Sequence, residues 1–140
     1  ELKAHCTRLG LDDRVRFLGW RNDRGALLAA CDVVAFPSRY EPFGTVTVDA
    51  WAASRPLVAA DAAGPAAYVK DGVNGLLIPK NDVDALADAL RKVVTDKALA
   101  AQLVAGGRAS YEAQFTKAAF QRDSLALYEK IVAHAGPFEG

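Results

Sequence analysis

The sequence contains no methionine, only two cysteines and only two histidines among its 140 residues. Cys6 and Cys31 do not form a metal-ligand spacing, and each lies in a helix-like segment where a small buried thiol is the ordinary explanation. His5 and His134 lie at opposite ends of the chain, and nothing near them indicates a catalytic triad or a metal site. Because even the first residue is not methionine, we expect the chain to be part of a longer polypeptide.

The sequence also lacks an excess of charge and a long apolar run. Seventeen basic residues balance seventeen acidic ones, so no overall field favours nucleic acid or an anionic membrane surface. The apolar runs are far shorter than the roughly 18–20 residues that span a bilayer, and no signal segment opens the chain. We therefore expect a cytoplasmic protein that does not bind nucleic acid, with any anion site confined to a few residues.

What is present is an alternation of short apolar runs with helical patterns. Half of the residues are hydrophobic (51%), enough for one globular domain over residues 1–140. The predicted strands are Val15–Leu18, Val33–Phe36, Leu57–Ala60 and Leu76–Ile78. Strands of this kind, joined by helix-length spacers, predict an α/β fold with a doubly wound, Rossmann-like parallel sheet covered by helices on both faces.

Helical signals fill the spacers and the last third of the chain. Capping residues, proline positions and apolar spacing predict these helices. Their predicted ranges are Asp23–Ala30, Pro65–Val69 with Pro65 at the first helical position, Val83 to about Thr95 after an Asp82 cap, Ala98–Gly106, and a long final helix over about 112–135. The sequence thus predicts a helical C-terminal tail.

The segment that carries chemistry is residues 36–50, which follows a predicted strand and enters a helix. Ligands of open α/β sheets bind at the carboxyl ends of the strands, and a glycine before a helix lets backbone amides approach an anion. The amides of Gly44, Thr45 and Val46 are therefore predicted to point at a phosphate. Propensity alone would make Thr45–Val48 a strand, since polar and β-branched residues alternate there.

Two carboxylates flank this turn. Glu41 precedes it, and Asp49 lies one helical turn beyond Thr45, so both are predicted to face one pocket. Carboxylates accept hydrogen bonds from sugar and ribose hydroxyls. The alternative, that Glu41 is a solvated loop residue and Asp49 a carboxylate favoured by the helix dipole, stays open at this point.

Motifs over nearly the whole chain resemble the family 4 type of retaining GT-B glycosyltransferases. The matching segments are Val15–Gly19, Cys31–Ser38, Glu41–Gly44, Pro56–Ala59 and Asp71–Leu77. The resemblance places the first glutamate of the family's E-x7-E signature on Glu41, near the donor sugar, and the second on Asp49, near the ribose. It also places the nucleotide base near Gly19 and Trp20, although a Trp20 packed beneath a loop is an equal alternative.

The sequence departs from the family at two positions. The second signature glutamate is Asp49, one methylene shorter, and the G-G-x-x-E turn reads Ala63-Gly64-Pro65-Ala66-Ala67, without its glutamate. Gly64 and Gly75 are interpreted as residues that allow tight backbone packing. These departures keep open a second interpretation, a noncatalytic module that binds a nucleotide or nucleotide sugar.

The resemblance implies a hexosyltransferase-like enzyme that takes a sugar from a nucleotide-diphosphate donor, without a metal or other cofactor. It implies bacterial glycan or lipopolysaccharide biosynthesis, in an enzyme that touches the inner face of the inner membrane. The resemblance also implies that the whole enzyme has an N-terminal acceptor domain and two further βα units outside this sequence, so we expect the chain alone to be inactive. We also expect Val15–Leu18 or Val33–Phe36 to pair in a rearranged way, or between copies in a strand-exchanged homodimer.

Overall fold

The computed structural model describes residues 1–135, at the centre of which lies a three-stranded parallel sheet. Its strands are β1 (Val34–Phe36), β2 (Leu57–Ala60) and β3 (Leu76–Ile78), in the spatial order β1-β2-β3. Val34 pairs with Leu57, and Val58 pairs with Leu76. The predicted parallel α/β sheet is therefore confirmed.

Seven helices accompany the sheet. They are α1 (Leu2–Arg8), α2 (Arg24–Ala30), α3 (Thr45–Ala52), α4 (Ala63–Tyr68), α5 (Val83–Thr95), α6 (Lys97–Gln114) and α7 (Lys117–Ala135), as far as the described residues extend. Asp82 caps α5 as predicted, since its carboxylate accepts a hydrogen bond from the Ala85 amide at 2.8 Å. Helix α4 begins at Ala63, so the prediction that Pro65 is its first residue is wrong. Pro65 still lies in the first turn, where proline is tolerated. No described helix has both the length and the apolar content needed to cross a membrane.

The central strand β2 is buried on both faces, and its residues divide between two hydrophobic cores. Leu57 and Ala59 pack on the face covered by α3, whereas Val58 and Ala60 pack on the face covered by α5 and the first half of α6. Alternate side chains of a strand point to opposite faces. An apolar run without alternation is therefore the pattern of a strand with helices on both sides.

Helix α6 continues through Gly106, its predicted last residue, and through Gly107. A Cβ atom at Gly106 would lie 2.1 Å from the Val73 carbonyl oxygen, and one at Gly107 would lie 2.4 Å from the Trp51 side chain. The predicted end at Gly106 is wrong. A glycine costs a helix about 1 kcal/mol relative to alanine, and here the close packing against two neighbouring segments offsets that cost.

The predicted long C-terminal helix is present as α7, but it starts later than about residue 112, because the helical chain breaks at Phe115 and Thr116. The Phe115 ring packs between Trp51 and Tyr68, with ring centroids 6.0 and 5.3 Å away. The Thr116 hydroxyl then accepts a hydrogen bond from the Ala119 amide at 3.1 Å, which starts α7. Apolar residues keep their helical spacing across this break, so the sequence pattern did not show the break. Helix α7 exposes the large apolar residues Phe120, Leu125, Leu127, Tyr128, Ile131 and Val132.

The segment Val15–Leu18, predicted to be a strand, belongs to no strand within residues 1–135. A turn precedes it, in which the Val15 amide donates to the Leu11 carbonyl at 3.0 Å. A strand needs a neighbour, and in the described part of the chain β1 pairs with β2 alone. The predicted rearranged pairing inside one chain is therefore wrong, while pairing between copies stays a prediction.

Candidate functional site

The loop between β1 and α3 is fastened by Glu41. Its Oε1 atom accepts hydrogen bonds from the amides of Gly44 at 2.8 Å and Phe43 at 3.3 Å. Its backbone carbonyl accepts another from the Gly64 amide at 2.7 Å. The Glu41 carboxylate thus lies at the N-terminus of α3, where the helix dipole favours a negative charge, and it is not a freely solvated loop residue.

Two glycines let this loop pack against the start of α4. Gly44 has a left-handed φ of 85°, and a Cβ atom there would lie 3.2 Å from the Pro65 ring. A Cβ atom at Gly64 would lie 2.4 Å from the carbonyl carbon and oxygen of Phe43. Backbone atoms cannot move aside as a flexible side chain can, so the position of Glu41 depends on Gly64.

Replacing Gly64 by alanine is therefore expected to lower the free energy of unfolding by about 1–3 kcal/mol, the usual cost of overpacking. Urea unfolding of the chain measures this. Gly25→Ala is the matched control, because a Cβ atom there meets nothing within 4 Å, and alanine should raise helix stability by about 0.5–1 kcal/mol. Equal shifts in the same direction would contradict the packing argument.

The backbone amides at the start of α3 differ in whether they already donate a hydrogen bond. The Gly44 amide, predicted to face a phosphate, donates instead to Glu41. Within residues 1–135, the amides of Thr45 and Val46 have no hydrogen-bond acceptor. These two remain available to an anion, because the first N–H groups of a helix have no partner inside the helix.

Asp49 lies farther along α3 and faces α2. Its Oδ2 atom is 3.2 Å from Nε of Arg24, the first residue of α2. The Asp49 side chain is only 23% exposed, and it lines a cleft of about 290 Å³ between the two helices. That cleft contains no residue of the loop that carries Glu41. Glu41 thus lies before the start of α3, and the structure does not bring the two carboxylates into the one pocket that was predicted.

Trp20 lies in the open, in the turn that precedes α2. It is 93% exposed, which excludes the alternative that it packs beneath a loop. Gly19, which precedes Trp20, has a φ of 66° and so allows the chain to turn there. Both residues line a cleft of about 630 Å³ that also includes Arg24 and Gly25. These last two residues line the Asp49 cleft as well, so the two clefts adjoin there.

Arg21 also lines the Trp20 cleft, and its guanidinium is paired with a carboxylate. Arg21 donates from Nε and Nη2 to the two carboxylate oxygens of Asp23, at 2.7 and 2.5 Å. These hydrogen bonds lower the pKa of the Asp23 carboxyl below its usual value. Arg24 is the cation that connects this cleft to Asp49, and the sequence reasoning above missed it. One signal was present, since a basic residue in the first turn of a helix opposes the helix dipole.

Comparison with known proteins adds to this geometry. The family model described as "Glycosyl transferases group 1" matches residues 1–110. The chain belongs to this family. The GT-B type and the Rossmann-like sheet that the resemblance implied are thereby confirmed.

This group 1 chain matches only part of the length of its relatives. It is 37% identical over 122 residues to the lipopolysaccharide core biosynthesis glycosyltransferase LpsE of Rhizobium meliloti, covering 87% of this chain and 36% of LpsE. It is 41% identical to a D-inositol 3-phosphate glycosyltransferase of Stackebrandtia nassauensis, covering 88% of this chain and 28% of that protein. The chain thus spans about a third of the length of such relatives.

A solved structure of similar fold contains a nucleotide. The crystal structure of Anabaena HepE in complex with UDP superposes with a TM-score of 0.84 at 37% identity, covering 91% of this chain and 36% of HepE. HepE has also been crystallised with UDP-glucose, and that structure superposes with a TM-score of 0.83. The ligands named there belong to HepE, and they indicate what to test in this chain.

Proposed function

We propose that this chain is the donor-binding part of a transferase that takes a sugar from a nucleotide-diphosphate sugar, with retention at the anomeric carbon. The observation that carries the proposal is the pair of adjoining clefts from Trp20 through Arg24 to Asp49. The larger cleft, at about 630 Å³, has the volume of a typical small-molecule site. The UDP complexes of HepE support a nucleotide as the ligand.

Each part of a nucleotide sugar has a matching group. The exposed face of Trp20 suits stacking with a base. Asp49 can accept hydrogen bonds from ribose hydroxyls, and the free amides of Thr45 and Val46 can donate to the diphosphate. Glu41 is then the group assigned to the donor sugar.

No metal or other cofactor is part of this proposal. When the bond to the sugar breaks, negative charge develops on the departing diphosphate. Preorganised backbone amides at a helix end stabilise such charge, because they need no rearrangement during the reaction. The amides of Thr45 and Val46 would serve this purpose.

The acceptor is proposed to be a bacterial glycan or glycolipid, because LpsE and LpsD of Rhizobium meliloti are lipopolysaccharide core biosynthesis glycosyltransferases. We place its binding in a separate N-terminal domain of the whole protein, so that this chain alone is inactive. We further propose that the whole enzyme works in the cytoplasm at the inner membrane.

A noncatalytic binding module is the second candidate. Two observations favour it: the shorter Asp49 in place of the second signature glutamate, and the exposed Ala67 where many members carry a glutamate. Binding of a nucleotide without turnover by the full-length protein would support this alternative.

Binding is tested by calorimetric titration of the chain and of the full-length protein with UDP and GDP. Asp49→Ala is expected to weaken binding of whichever nucleotide the protein binds by roughly 10- to 100-fold, since a hydrogen bond to a charged group contributes about 1.5–3 kcal/mol. Asp84→Ala, an exposed carboxylate on α5, is the control and should change nothing. If neither protein binds either nucleotide, the donor-site assignment fails.

A further inference from the structure

We propose that Arg24 is a positioning residue that fixes the Asp49 carboxylate for ribose recognition. This inference rests on the proposed function, and it assigns a role to a side chain outside the signature motif. The observation that starts it is the approach of Arg24 Nε to Asp49 Oδ2, at 3.2 Å.

The two oxygens of the Asp49 carboxylate have different surroundings. Oδ2 is buried, and within residues 1–135 no atom makes a well-aligned hydrogen bond to it. The side chain as a whole remains 23% exposed, so its accessible surface belongs to the other atoms, among them Oδ1. Arg24 therefore forms an ion pair with the inner oxygen, at 3.2 Å and without a well-aligned hydrogen bond, and Oδ1 is left to accept a hydrogen bond from a ligand.

An aspartate at this position needs such a partner. Its terminal torsion is broad, so the carboxylate rotates easily unless a neighbour fixes it. A buried carboxylate oxygen without a compensating charge is also costly. Arg24 meets both needs, because it supplies a permanent positive charge at one side of the group.

Arg24 also lies where a nucleoside would pass. It is 69% exposed and lines both the Trp20 cleft and the Asp49 cleft. Arg21 lines the Trp20 cleft too, but its guanidinium is paired with Asp23. Of these two arginines, Arg24 is the one that contacts Asp49.

This arrangement predicts an effect that depends on the ribose hydroxyls. If Arg24 acts through Asp49, replacing Arg24 should weaken binding of a nucleotide that offers those hydroxyls to Asp49. A 2′,3′-dideoxy analogue offers none, so its binding should not depend on Arg24. A direct contact of Arg24 with the base or the phosphates would instead weaken both ligands.

The test is calorimetric titration of the full-length protein with UDP or GDP, whichever it binds, and with the 2′,3′-dideoxy analogue of that nucleotide. Arg24→Gln should weaken binding of the natural nucleotide by about two- to fivefold, the order expected for an ion pair with an exposed partner. It should leave binding of the analogue unchanged. Arg24→Lys, which keeps the charge, should recover part of the loss. In an Asp49→Asn background Arg24→Gln should add nothing further. The control is Arg91→Gln on α5, at an exposed arginine that is paired with Asp88 and lines neither cleft, and it should leave binding of both ligands unaffected.

Two results would overturn the inference. Unchanged binding of the natural nucleotide by Arg24→Gln would remove any role for Arg24, and equal weakening of both ligands would remove the role through Asp49. In either case the proposed function stands, because the unchanged protein still binds. If the unchanged protein binds no nucleotide, the proposed function and this inference fall together.

Discussion

Gly107→Ala is expected to lower the free energy of unfolding by about 1–3 kcal/mol, the range for overpacking a core, although alanine is the better helix former. The new Cβ atom would lie 2.4 Å from Cδ1 of Trp51. Trp51 is 1% exposed, and its Nε1 donates to the Asn74 carbonyl at 2.7 Å. The indole therefore has no free space to move into without breaking a buried hydrogen bond.

A double-mutant cycle in urea unfolding checks this prediction. Trp51→Ala alone should cost about 3–5 kcal/mol, because it removes a large buried side chain. In that background Gly107→Ala should become neutral or stabilising, since the atom it collides with is gone. If Gly107→Ala costs the same with and without Trp51, the two residues are not coupled and the packing explanation is wrong.

Glu41→Gln is expected to lower sugar transfer by the full-length protein by roughly 100-fold or more, the scale on which charge-stabilising and proton-transferring groups act. Glutamine keeps the shape of the side chain, and its carbonyl can still accept from the Gly44 amide, as Oε1 of Glu41 does at 2.8 Å. The substitution therefore removes the charge while the start of α3 is held.

Activity is measured with the nucleotide sugar that the protein binds, and nucleotide binding is measured in parallel. Glu112→Gln is the control, because this exposed glutamate on α6 is paired with Arg108. Transfer that survives in Glu41→Gln would exclude a catalytic role for Glu41. A full-length protein that binds the nucleotide but never transfers sugar would favour the noncatalytic module.

The sequence predicts the fold correctly where the burial of apolar residues determines the structure. Leu57–Ala60 is apolar at every position because helices cover both of its sides, and the sequence shows this directly. Thr45–Val48 is helical despite its strand-like composition, since its place after a strand and a glycine turn outweighs local propensity. Val15–Leu18 has the composition of a strand, but a strand also needs a neighbour, and no composition can supply one.

The candidate site was only partly visible in the sequence. The carboxylates Glu41 and Asp49 stood out as residue types, and their roles toward a ligand stay predictions. Sequence spacing did not show that Glu41 turns back onto the amide of Gly44, nor that Asp49 meets Arg24 across two helices. Such contacts depend on how α2 and α3 pack, which no local pattern contains.

The strand order β1-β2-β3 has a consequence for how the chain acquires its structure. Within residues 1–135, each strand lies beside the one that precedes it along the chain, so none of the three must insert between two that are already paired. Each pairing joins residues on either side of a crossover that contains a helix, and such parallel pairings form more slowly than local contacts. During synthesis these three strands can therefore join one another in the order in which the ribosome releases them.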